Sequence, residues 1–187
     1  MDSTMENVVV ATTLIAYFAI YGFIFLALIG GIIAALVVSS KEPKPKTYQQ
    51  VMAENAQMGP YQGPVPNELL ENVSIAMNVI LTLVTGGIYG WVWVHAINKK
   101  IRVLCGESTK CLGETLMVLF IPYYSYYWAY TRGKKLFHGF ERFSFRTSDS
   151  SIVYLLLCIF GLQVVAYALI QNDLNSFAGM RMGLPRA

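Results

Sequence analysis

Few residues in this sequence have the type and spacing that chemistry requires. The histidines are His95 and His138, and the cysteines are Cys105, Cys111 and Cys158. No second histidine or cysteine stands at helical spacing from either histidine, and the interval between Cys105 and Cys111 is not one that zinc sites use. An odd cysteine count without dense spacing argues against a disulfide framework. A transient disulfide, a lipidation site and plain thiols all stay open, with inert thiols the simplest reading. The serines, histidines and acids form no recognisable nucleophile motif. An active site needs convergent polar groups in a protected place, and none is evident. The expectation is a non-enzymatic protein with no catalytic residue, no metal site and no cofactor.

Transport chemistry leaves a different mark. A coupled transporter places an ionisable group at mid-membrane depth, and here Asp, Glu, Lys and Arg are absent from the centre of every apolar stretch. The polar residues inside those stretches are mild: Asn78, Thr82, Thr85, Ser125 and Gln163. Hydrogen bonds between helices are the expected role of Asn78 and Gln163. A neutral solute path stays open as the alternative, because broken helices and internal repeats occur in transporters.

The apolar stretches dominate the composition. Hydrophobic residues make up 55% of the 187 positions and charged residues 13%, with mean hydropathy +0.48. A soluble domain carries about 25% charged residues, so this balance points to an integral membrane protein. The net charge of +3 then reads as loop orientation and contact with anionic lipid, and nucleic-acid binding is not expected. Four hydrophobic segments are predicted, over about 8–38, 73–97, 115–130 and 152–171. The first follows an acidic start with no basic n-region, so it reads as a retained transmembrane helix and not a cleaved signal. Ala27, Gly31 and Ala35 recur every four residues along it and would form a face for close helix packing. Between the first and second segments, residues 39–71 hold five of the seven prolines. They read as an extended arm or linker, with a short helix from about Tyr48 to Gln57. Helix breaks are expected at Gly86-Gly87, Pro122 and Gly161. Tyr89, Trp91, Trp93, Lys99 and Lys100, and again Tyr124, Trp128, Lys134 and Lys135, are expected at the membrane interface, where aromatic rings and lysines meet headgroups.

Those two groups are related. Tyr89–Ile101 and the stretch 35 positions later, Tyr124–Leu136, share a Tyr, a Trp and a Lys pair in the same order. Each follows an apolar run and a Gly or Pro break, and 152–173 repeats the plan faintly. Thr85-Gly86-Gly87-Ile88-Tyr89-Gly90-Trp91-Val92-Trp93, with Ile159-Phe160-Gly161-Leu162 and Ala168–Asn175 further on, resembles the domain of unknown function 4234 family over about 73–177. Gly86 stands where that family often has Cys, and Val92 where it often has an aromatic. The resemblance implies a small bacterial or archaeal membrane protein and no defined activity.

The resulting expectation is an all-α polytopic membrane protein: residues 1–38 a transmembrane helix, 39–71 the arm, 72–177 a repeat-containing membrane domain and 178–187 a short tail. Its expected role is that of an accessory, scaffolding or assembly subunit among other membrane subunits. A small homo-oligomeric channel or transporter is the alternative, and a lipid-interacting protein a third. Positive charge after the first segment places the N-terminus outside and the arm in the cytoplasm. Plain threading would then put Lys99, Lys100, Arg102 and Lys110 outside. Segments two and three either span in this way or are broken and re-entrant, turning at Gly86-Gly87 and Pro122 and keeping the lysine pairs on one side.

Overall fold

The computed structural model describes residues 3–121 and 123–182, with side chains from Thr12 onward. Pro122 and residues 183–187 therefore lie outside the described part. The regular structure among the described residues is entirely helical: α1 (Ser3–Lys41), α2 (Tyr48–Met58), α3 (Asn67–Leu70), α4 (Ile75–Val84), α5 (Ile88–Leu104), α6 (Leu112–Phe120), α7 (Tyr124–Arg142), α8 (Ser151–Ile159) and α9 (Gln163–Arg181).

Predicted segments two, three and four are each two helices joined by a tight turn. Each turn has a residue in the left-handed region. Gly86 and Gly87 (φ 60° and 95°) separate α4 from α5, Tyr123 (φ 63°) opens α7, and Gly161 (φ 75°) separates α8 from α9. Glycine enters that region without the Cβ penalty that Tyr123 carries. At the first turn, the Thr85 hydroxyl donates to Leu81 O at 2.7 Å and accepts from Tyr89 N–H at 2.9 Å, so backbone groups freed by the break find partners. The short limbs α4, α6 and α8 have 10, 9 and 9 residues. At 1.5 Å per residue each is about 13–15 Å long.

The three hairpins pack side by side with their turns at one end. Trp93 of α5 and Trp128 of α7 both set their rings against Tyr167 of α9, at centroid distances of 6.0 and 5.5 Å. Further from the turns, Phe140, Phe143 and Phe145 gather around Phe177. Trp93 and Trp128 are thus buried core residues, 2% and 1% exposed, and not the interface residues their type suggested. Their indole N–H groups donate to Gln171 Oε1 at 3.4 Å and Asn98 Oδ1 at 2.7 Å, which removes the need for a wet edge. The repeat explains the coincidence, since equivalent aromatics from neighbouring hairpins meet at the same level.

Helix α1 stands apart over most of its length. Its 39 residues extend about 58 Å, and only the C-terminal part touches the hairpins, against α6. Ala35 is fully buried there, Gly31 faces the Phe120 ring, and a Cβ on Gly113 would come within 2.5 Å of Ser39 Cα. Small residues on both sides let the two backbones approach closely. Ala27 is exposed, so the small-residue face contacts this chain's own α6 only from Gly31 downward. Just beyond, the Glu42 carboxylate accepts from the first two N–H groups of α6, Leu112 at 2.8 Å and Gly113 at 2.9 Å. This anchors the end of α1 where the α6 dipole is positive.

The Pro-rich arm is docked, not a free linker. Its helix α2 begins with a capping box between Thr47 and Gln50 and lies on α7. Val51 and Leu69 are buried in the common core. Asn55 Nδ2 donates to His138 O at 2.6 Å, and Tyr61 N–H to Arg142 O at 2.7 Å.

Candidate functional site

The polar residues of this fold concentrate at the end of the hairpins opposite the turns. Arg102 near the end of α5, Glu107 in the loop after it, Glu114 at the start of α6, and Arg132 and Lys135 midway along α7 all have side chains no more than 5% exposed. Glu114 holds two guanidiniums, Arg102 Nε at 3.1 Å and Arg132 Nη2 at 2.6 Å. Glu107 takes Lys135 Nζ at 2.8 Å and lies 3.8 Å from Arg102 Nε. Arg102 also donates to the carbonyls of Ser108 and Lys110, and its Nη2 lies 3.4 Å from Pro43 O. Loop, arm and hairpins are therefore tied together through one side chain.

Burial tends to neutralise such groups, and proximity of opposite charges restores them. Desolvation pushes the Glu114 carboxyl upward, but Arg132 and Arg102 outweigh it and hold the group below the ordinary carboxylate range. Lys135 is pulled below the usual lysine value by burial and by Arg132, with Glu107 opposing. Lys100 is lowered too, chiefly by burial; it donates to Glu71 O at 2.7 Å. Lys99 and Lys134 are the outward members of their pairs; Lys99 is exposed and Lys134 is bonded to Asp149 at 2.5 Å. Of the lysines expected at a lipid interface, Lys100 and Lys135 are thus buried. Successive residues on a helix face different directions, so one lysine of each pair points inward.

This cluster opens into a cavity of about 420 Å³ between α7 and the start of α2, lined in part by Lys46, Tyr48, Tyr124, Tyr130, Arg132 and Lys135. A second cavity of about 270 Å³ lies among the hairpin turns. It is lined by Gly87, Thr115, Ser125, Gln163 and Tyr167 together with apolar side chains, so all three hairpins contribute to it. Tyr89 lies half-buried nearby and donates to Asn78 Oδ1 at 3.0 Å, while Trp91 lines this cavity with its side chain partly exposed and Tyr124 is half-buried on α7.

The histidines and cysteines lie around the edges of these features: Cys105 Sγ donates to Lys135 O at 3.6 Å, and the His138 ring stacks on Tyr48 at 6.5 Å. His95 Nδ1 lies 3.1 Å from Thr115 Oγ1 and 3.8 Å from Cys111 Sγ. Among the described residues, no group of three or more His, Cys, Asp and Glu side chains is placed to hold a metal ion. All three thiols are buried. Burial pushes Cys105 up to about 12 and Cys111 to about 11, against the thiolate form that reacts.

Residues 73–138 match the model of the family described as Domain of unknown function (DUF4234). The matched stretch takes in the α4–α5 hairpin, α6 and most of α7, including every member of the buried charge cluster. The third hairpin, which the sequence resemblance included, falls outside it. No curated protein and no solved structure matches the chain.

Sequence reading missed the charge cluster. Arg102, Glu107, Glu114, Arg132 and Lys135 are scattered over three helices and a loop, and each looks like a loop or interface charge when read alone. A usable signal was present in the spacing of Arg132 and Lys135, which puts two cations on one helix face beside residues otherwise apolar or aromatic.

Proposed function

We propose that this chain is a non-enzymatic membrane scaffold embedded mainly in one leaflet, acting as an accessory or assembly subunit. The observation that carries the reading is the position of Gly31 against Phe120. Helix α1 is the one described helix both long and apolar enough to cross a bilayer, so it serves as a ruler for depth. Phe120 ends α6 at the turn level, and Gly31 lies about 15 Å of helix from Lys41. That is half of the roughly 30 Å hydrocarbon core. With Lys41 at one surface, the hairpin turns reach the bilayer centre and return. The apolar side chains at the turns fit this placement: Leu83, Val84, Ile88, Tyr123 and Phe160 are 61–78% exposed. At the Gly86-Gly87 turn, the Thr85 hydroxyl satisfies freed backbone groups within the protein, as lipid requires. All basic hairpin ends then share one face, the cytoplasmic one by the positive-inside tendency. From Thr12 to Gly30, α1 is apolar and largely uncovered, and this length is available to helices of other subunits.

The test is threading. Ser108→Cys and Ser148→Cys, each in a background without the native cysteines, are exposed to an impermeant thiol reagent added to intact cells. Both positions are expected to be protected and to label only after permeabilisation. Labelling of residue 108 but not 148 from outside would establish plain spanning and remove the one-leaflet reading. The second reading, a small oligomeric pore, draws on the cavity among the hairpin turns. It requires a homo-oligomer, which mass analysis of the protein purified in mild detergent distinguishes from a complex with foreign subunits.

A further inference from the structure

The buried charge cluster does not balance. Arg102, Arg132 and Lys135 supply three cations, and Glu107 and Glu114 two carboxylates, all with side chains at most 5% exposed. One positive charge is left over where water has little access, and an uncompensated buried charge is costly. The excess has a location. Arg132 gives Nη2 to Glu114, while its Nε and Nη1 have no hydrogen-bond partner among the described residues. A guanidinium presents its donors as a planar fork suited to phosphate or carboxylate oxygens. Here two of those donors are buried, unused and shut off from water, so a ligand in the adjoining cavity reaches them through a small shift of the Arg132 side chain.

Arg132 lines the cavity of about 420 Å³ under the arm, and the cavity's other walls suit an anion. Lys135 adds an ammonium, already paired with Glu107 at 2.8 Å, and Lys46 stands at the rim, 30% exposed and bonded to Glu54 at 2.5 Å. The first turn of α2, Thr47 to Gln49, forms part of the wall, so the positive end of an 11-residue helix faces the space. Tyr130 and Thr131 contribute hydroxyl-bearing side chains, and Tyr48 lies edge-on to Tyr130 at 6.4 Å. One acid, Glu114, also lines the cavity, but its two oxygens are already taken by Arg102 and Arg132.

We infer that this cavity binds a phosphate group, with Arg132 as the principal ligand and the N-terminal turn of α2 with Lys46 closing over it. A phosphate monoester fits better than a carboxylate because the donors come from several directions, and a tetrahedral anion offers oxygens to all of them. The inference stands on the cavity and the half-satisfied guanidinium, and it holds whether or not the hairpins lie in a membrane. Two sources can supply such a group. An anionic lipid would bring it from the headgroup layer, and a free phosphate or small phosphate ester from water. Arg132 lies about 12 Å of helix from the α7 turn, near the headgroup level of the one-leaflet placement.

The full chain in detergent is titrated calorimetrically with inorganic phosphate, glycerol 3-phosphate, short-chain phosphatidic acid and, as a control, short-chain phosphatidylcholine. Saturable binding of the phosphate monoesters is expected, with Arg132→Gln abolishing it and Lys46→Ala weakening it about tenfold. Phosphatidic acid binding at least ten times more tightly than glycerol 3-phosphate identifies a lipid ligand. Equal affinities for the two identify a soluble one. Should Arg132→Gln fail to fold, Lys46→Ala and Tyr130→Phe carry the test, since both sit at the wall outside the buried ion pairs. No saturable binding of any phosphate, or binding unmoved by these variants, overturns the assignment. So does phosphatidylcholine binding as tightly as phosphatidic acid.

Discussion

Glu114 shows most clearly how a single residue is used here. It lies in the first turn of α6, is 4% exposed, and sits between two guanidiniums from two different hairpins. Removing its charge leaves Arg102 and Arg132 buried with one compensating carboxylate between them. Breaking a buried pair from one side costs about 3–5 kcal/mol. Glu114→Gln is therefore expected to lower the unfolding midpoint of the detergent-solubilised protein by several degrees or prevent its accumulation. The pH dependence has a definite sign. The folded-state pKa lies below the ordinary value of 4.5, so the unfolded chain binds more protons near that pH. The stability contributed by Glu114 is complete above the unfolded pKa and is lost as pH falls through the folded one. Denaturant titrations across that acid range should show a steep loss in the natural protein and a shallower one in Glu114→Gln.

Among the elements, the contact of α1 with α6 fixes where the long apolar helix stands relative to the hairpins. Gly31 leaves no room for a side chain, because an added Cβ would meet the Phe120 ring. Gly31→Leu is expected to separate the two helices locally and to lower the unfolding midpoint, at a cost of about 1–3 kcal/mol typical of overpacking. Membrane insertion itself should be unaffected, since Leu favours the bilayer. Phe120→Ala in the same chain provides space for the new side chain and is expected to recover part of the loss. An equal loss with and without Phe120→Ala would show that Gly31 acts through some other contact.

At the scale of the whole molecule, two separate features favour the membrane: the uncovered length of α1 and the apolar hairpin turns. These are independent if the hairpins enter a leaflet on their own. A chain lacking residues 1–30 keeps the part of α1 from Gly31 to Lys41 that packs on α6. This shortened chain is expected to remain with membranes through a carbonate wash, because Val84, Ile88, Tyr123 and Phe160 stay exposed at the turns. Recovery of the shortened chain in the soluble fraction would place all membrane affinity in α1. The hairpins would then be a compact domain beside the bilayer.

Sequence alone determined the local features of this protein. The run of apolar residues in α1, the capping box that starts α2 and the glycines at two of the turns are each written in a few neighbouring residues, because helix propensity, capping and left-handed backbone depend on near neighbours. The doubling of the hairpin was legible as well, from the 35-residue offset that pairs Trp93 with Trp128 and Lys100 with Lys135. Only the tertiary structure decided which way those side chains face. A tryptophan near the end of an apolar segment suits a headgroup layer equally well as a core. Trp93 and Trp128 go inward because Gln171 and Asn98, from other elements, accept their N–H groups. Lys135 is buried because Glu107 comes from a loop 28 residues away to meet it. The cluster of Arg102, Glu107, Glu114, Arg132 and Lys135 has no signature in any one window, since Coulomb energy depends on distance in space and the chain sets those distances only once it has folded.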